Sequence, residues 1–113
     1  MKYSGCIIEE SLKDKSIINE FNIIEEINDD GIIWIVEVDE SKLGYVLPKL
    51  QTSMVDAPIW YCDLKCEEYH YIVFNDKIFK VNRDFPEQYE EVRQYGIKRG
   101  IPNEQLPNKS WAK

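Results

Sequence analysis

Ile32-Ile33-Trp34-Ile35-Val36-Glu37-Val38-Asp39 is the stretch on which the fold turns. Its first five residues are apolar, most of them β-branched, and no glycine or proline interrupts them. That composition predicts a strand rather than a helix. Apolar residues on consecutive positions point to both faces of a sheet, so the first half predicts a central strand covered on both sides or nearly so.

The neighbouring segments take their meaning from this strand. Asn28-Asp29-Asp30-Gly31 reads as a turn with glycine where a positive φ is needed, which makes 22–27 a preceding strand. Residues 3–9 read as a short strand centred on Cys6-Ile7-Ile8. Between them Ser11 stands as an N-cap, with Asp14 in the capping-box position, predicting a helix with Leu12, Ile17, Ile18 and Phe21 inward.

Downstream, Leu43, Val46, Leu47 and Leu50 fall on one helical face and predict a second helix over 41–52, kinked or broken at Pro48. Residues 59–66 alternate cleanly, with Trp60, Cys62, Leu64 and Cys66 on one face and Tyr61, Asp63 and Lys65 on the other. Asn75-Asp76 joins strands 69–74 and 77–81 as a type I′ hairpin, setting Ile72 opposite Phe79 and His70 opposite Val81. Pro86 opens a third helix with Tyr89 and Val92 inward and Gly96 at its end. The order is β-α-β-β-α-β followed by β-β-α. This is an α+β chain whose first six elements follow the ferredoxin-like split βαβ plan, extended by a hairpin and a helix. In that plan the first and third strands are central, and here those two carry consecutive apolar residues.

The whole chain of 113 residues is expected to form one domain, with 100–113 an irregular tail containing Pro102 and Pro107. A 43% apolar content with three Trp, seven Tyr and four Phe is too rich for disorder. No run reaches the roughly 18 apolar residues of a membrane span, and the first ten residues contain no signal-peptide h-region. Three cysteines, Cys6, Cys62 and Cys66, are too few and odd in number for a secreted disulfide framework. A soluble, cytoplasmic protein is expected. The net charge is −7, and residues 1–40 carry eleven Asp or Glu against three Lys. Such a balance excludes nucleic acid and anionic membrane as favoured partners. The acidic half reads as a solvated surface, with a face that docks on a basic partner as the alternative.

Two segments carry a resemblance. Ile7-Ile8-Glu9-Glu10-Ser11-Leu12 and the closing Tyr95-Gly96 with Gly100-Ile101-Pro102-Asn103-Glu104-Gln105-Leu106 resemble a family of small uncharacterised bacterial proteins. The segments around Trp60-Tyr61 and Tyr71-Ile72-Val73-Phe74 are similar in kind. The resemblance implies an intact single domain and carries over no catalytic residue.

Cys62, Cys66 and His70 have the best metal-like spacing, with Cys66 expected across a turn from His70. A fourth ligand is missing nearby, so all three read as core residues and no metal or cofactor is expected. Paired carboxylates such as Glu25-Glu26 and Glu67-Glu68 are sequence neighbours, which strands point apart. No phosphate-cradling glycine loop or nucleophile elbow occurs. Tyr61, Tyr71 and Tyr95, with His70, are the candidate binding residues, because tyrosine buries much area with little rotamer loss. The leading expectation is a non-enzymatic binding or regulatory module that meets a protein partner or a second copy. The alternatives are a small-molecule-sensing domain, an enzyme centred on His70 and Cys66, and an acidic inhibitor or immunity-type protein.

Overall fold

The computed structural model describes residues 1–107 and builds them around a single antiparallel sheet. Its strands are β1 (Lys2–Ile8), β2 (Asn22–Asn28), β3 (Ile32–Asp39), β4 (Cys62–Lys65), β5 (Tyr69–Val73) and β6 (Ile78–Asn82). They lie in the order β2-β3-β1-β4-β5-β6. Two α-helices, α1 (Leu43–Ser53) and α2 (Gln88–Lys98), make this an α+β fold. Neither is long and apolar enough to cross a membrane, and no other described helix is.

The helix expected after Ser11 does not form. Two 3₁₀ segments, Glu9–Ser11 and Lys15–Glu20, take its place. Leu12, Ile17, Ile18 and Phe21 lack the i, i+3, i+4, i+7 spacing that would hold a helix on the sheet. Leu12 instead bridges to Met54, and Ser11 Oγ donates to the Ile8 carbonyl at 2.6 Å rather than capping. Asp14 is the cap, accepting from the Ser16 amide and hydroxyl. The first crossover of the expected βαβ unit therefore carries no α-helix.

Pro48 neither breaks nor ends α1. The carbonyl that its missing N–H would have bonded belongs to Gly44, and both residues face solvent, so the carbonyl is not buried without a partner. Gly96 does not end α2. It is buried inside the helix, where an added Cβ would lie 2.3 Å from Leu106 Cδ2, so its role is close packing. The turn comes at Gly100, with φ 91. The Asn75–Asp76 link is not type I′, because Asp30 is the only described non-glycine residue with positive φ. Its register is nevertheless Ile72↔Phe79 and His70↔Val81. The strand expected over 59–66 begins only at Cys62, because Arg99 holds the Pro58 carbonyl and Tyr61 donates to the Gln105 carbonyl.

The sheet separates two cores. On one face α1 and the Lys15–Glu20 segment cover Tyr3 and Ile7 of β1, Val36 and Val38 of β3 and Leu64 of β4. On the other face α2, Ile101 and Leu106 cover Ile72 of β5 and Phe79 and Val81 of β6. This second layer reaches only the β5–β6 end. Ile33 and Ile35 of β3 are consequently half-buried, and the expected cover on both faces is absent among the described residues. Within the expected tail, Asn103–Gln105 makes one more 3₁₀ turn before the buried Leu106. The part of the expected irregular tail over 108–113 lies outside the described residues.

Candidate functional site

Cross-strand register decides which of the candidate residues meet. In the β4–β5 pair Lys65 stands opposite His70 and Leu64 opposite Tyr71. His70 therefore points to the α2 face and Tyr71 to the α1 face, where Tyr71 packs on Tyr3 with ring centroids 5.6 Å apart. Cys66 accepts from the Tyr69 amide at 3.4 Å, and Lys65, not Cys66 as expected, stands across from His70. Cys62 faces the α1 core with Sγ 3.8 Å from Ser11 Oγ, and burial pushes its thiol up to about 12. Among the described residues no three Cys, His, Asp or Glu side chains come together as metal ligands.

His70 is 0% exposed and sits in a polar chain that crosses the second core. Its Nε2 is 2.7 Å from Asp63 Oδ2, and its Nδ1 is 2.9 Å from the Tyr89 hydroxyl. A carboxylate accepts, so Nε2 donates to Asp63, and Nδ1 and the Tyr89 O–H meet in the second hydrogen bond. Burial raises the Tyr89 phenol, which keeps that proton in place. The chain ties β4, β5 and α2 together. The His70 ring is sealed from solvent, and Cys66 is turned away from it. Asp63 and Tyr89 were not singled out in the sequence. The signal was the β4–β5 register, which brings an inward Asp63 near His70 only when Lys65, not Cys66, opposes it.

Tyr61 and Tyr95 do come together, on the α2 face around Phe74, at centroid distances of 5.8 and 5.0 Å. Their polar tips are engaged internally. Tyr61 donates to the Gln105 carbonyl, and Tyr95 donates to Asp76 Oδ1 at 2.6 Å. Arg99 completes the cluster, with Nη1 on Asp76 at 2.9 Å, Nη2 on Asn75 and Nε on the Pro58 carbonyl. Its guanidinium lies 5.6 Å from the Tyr95 ring centroid. The hydrogen bond from Tyr95 and the adjacent Arg99 hold the Asp76 carboxyl below its ordinary value. This constellation clamps the β5–β6 turn to α2.

The opposite end of the sheet is different in kind. Among the described residues β2 is an outer strand that pairs with β3 alone, and six of its seven residues are exposed. Ile23 is 43% and Ile24 58% exposed, and a register shift between Ile23 and Glu25 leaves Ile24 at a bulge. Beside β2 the face turned away from α1 presents Ile27, Ile33 and Ile35, then Cys6 and Ile8, all half-buried. Glu25 borders this apolar strip, Glu26 points to the α1 face, and Asp29 and Asp30 follow in the turn; none of the four makes an ion pair to a described residue, whereas Glu20 and Glu37 are paired to Lys49 and Lys2. Ile23-Ile24-Glu25-Glu26-Ile27 was legible as an unusual strand, because its apolar residues do not alternate. Such a pattern belongs to an edge, where no core dictates the face.

A third feature is an open depression of about 310 Å³ near Lys13, Gln51, Met54, Asp56 and Asn75. Gln51 and Asn75 spend their amide hydrogens on the Phe74 and Val55 carbonyls, joining α1 to the β5–β6 turn. Comparison with protein-family models, with curated proteins and with solved structures finds no match to this chain.

Proposed function

We propose that this chain is a non-enzymatic binding module of the cytoplasm that meets a protein partner through the β2–β3–β1 half of its sheet. The reading rests on one observation: beside the exposed outer strand, the face turned away from α1 presents a half-buried apolar strip of Ile27, Ile33, Ile35, Cys6 and Ile8. Contiguous apolar surface rimmed by charge marks interaction sites more often than ordinary surface does. The polar clusters at the other end spend their donors and acceptors internally, which favours scaffold over chemistry there. On the architectural side, the order β2-β3-β1-β4 supports a ferredoxin-like split core extended by β5, β6 and α2, while the 3₁₀ first crossover weighs against it.

A photo-crosslinking residue placed at Ile35 in growing cells tests this reading. The expected result is a discrete protein adduct that is missing when the same residue replaces Tyr45, which is 60% exposed on α1. Capture that is equal from both positions, or absent from both, would overturn it. An acidic inhibitor or immunity-type role is the second reading, favoured by the four carboxylates without ion pairs around β2.

A further inference from the structure

We infer that the outer edge of β2 accepts an extended segment of a basic partner as an added antiparallel strand, with the motif apolar–basic–basic–apolar; this rests on the binding-module reading above. An outer strand alternately turns its amides and carbonyls away from the sheet, and proteins ordinarily cover such an edge or blunt it with lysine or proline. β2 carries neither lysine nor proline, and its residues are exposed on both faces.

The side chains along that edge specify the occupant. Pairing with β3 sets Glu25 opposite Ile35 and Ile27 opposite Ile33, on the open face of the sheet. Ile23 opposite Val36 and Glu26 opposite Trp34 point to the α1 face. Each face of β2 thus shows a new strand one isoleucine and one carboxylate. Read antiparallel, the residues opposite Ile27, Glu26, Glu25 and Ile23 must be apolar, basic, basic and apolar. Both glutamates lack a basic partner among the described residues, so an incoming Lys or Arg meets an unneutralised charge.

The same geometry disfavours a second copy in the registers centred on the two glutamates. Antiparallel pairing of β2 with itself about Glu25 sets Glu25 against Glu25. Pairing about the Glu25–Glu26 bond sets each glutamate against the other. Like charges directly opposite destabilise a strand pair.

The test uses the full chain and a capped synthetic peptide with Val-Lys-Arg-Val at its centre, followed by amide NMR titration. Shifts are expected in 22–28 and in the facing part of β3, with affinity falling as salt rises. The double variant Glu25→Gln, Glu26→Gln should stay folded and bind roughly 2- to 30-fold more weakly. A peptide with Val-Asp-Glu-Val at its centre should not bind. No shift in β2 at about 1 mM peptide, or shifts confined to another surface, would overturn the inference. So would a peptide-free dimer whose contacts map to β2. An adduct from Ile35 with no peptide response in β2 would sink strand addition alone and leave the binding-module reading standing.

Discussion

Gly5→Ala is expected to separate the two halves of the sheet. β1 and β4 are joined by only three residue pairs, Ser4↔Lys65, Gly5↔Leu64 and Cys6↔Asp63. This seam is the sole strand pairing between β2-β3-β1 and β4-β5-β6. A Cβ on residue 5 would lie 1.8 Å from the Asp63 carbonyl oxygen, about 1.6 Å short of ordinary 3.4 Å contact. The obstructing atom is backbone, so no rotamer change relieves it and the strands must move apart. Moving them that far lengthens the ladder hydrogen bonds beyond useful range. Those bonds are worth roughly 0.5–1.5 kcal/mol each, and overpacking adds about 1–3 kcal/mol. The expected loss is about 3–5 kcal/mol, a large share of the roughly 5–15 kcal/mol that holds a domain folded. Urea unfolding followed by circular dichroism should show the midpoint falling by at least about 1 M. Gly44→Ala is the matched control: nothing lies within 4 Å of its Cβ position, and it sits on the solvent side of α1. It should stabilise by about 0.5–1 kcal/mol. A Gly5→Ala loss below about 1 kcal/mol would refute the claim that close approach at this seam holds the sheet together.

The Asp76 clamp should show in acid. Its carboxyl is held below the ordinary 3.8 by the Tyr95 hydroxyl and Arg99, so its contribution is present above that value and fades as pH falls through the lower folded value. Asp76→Asn should remove that part of the acid dependence, and matching stability–pH curves for variant and wild type would refute it. Cys62, pushed up to about 12 by burial, should resist alkylation at pH 8 in the folded chain and react only on unfolding. Mass spectrometry finding it labelled as fast as a free thiol would contradict its burial. Tyr89→Phe should keep the ring packing, lose the hydroxyl that meets His70 Nδ1, and destabilise by about 1–2 kcal/mol in thermal melts. An unchanged melting temperature would mean the polar chain is not holding α2 to the sheet.

Local chemistry was enough to specify much of this chain. The Ile32–Asp39 strand, the turn at Asn28–Gly31, the inward face of α1 and the Ile72↔Phe79 register all follow from periodicity and turn residues, because each is settled within a few positions of sequence. Tertiary contacts overruled local signals where a distant group competed. The Ser11–Asp14 cap signal lost to the Leu12–Met54 bridge. The alternating residues before Cys62 were drawn off the sheet by Arg99 and the Gln105 carbonyl. Gly96 looked like a helix stop until Leu106 packed against it. For the candidate sites the divide was sharper. The tyrosines and His70 could be named from sequence, but not their faces, because one residue of register moves a strand's side chains to the other side. The same applies to the acidic, isoleucine-rich β2: its composition was visible from the start, but only the strand order placed it at an edge, where its backbone and side chains face outward.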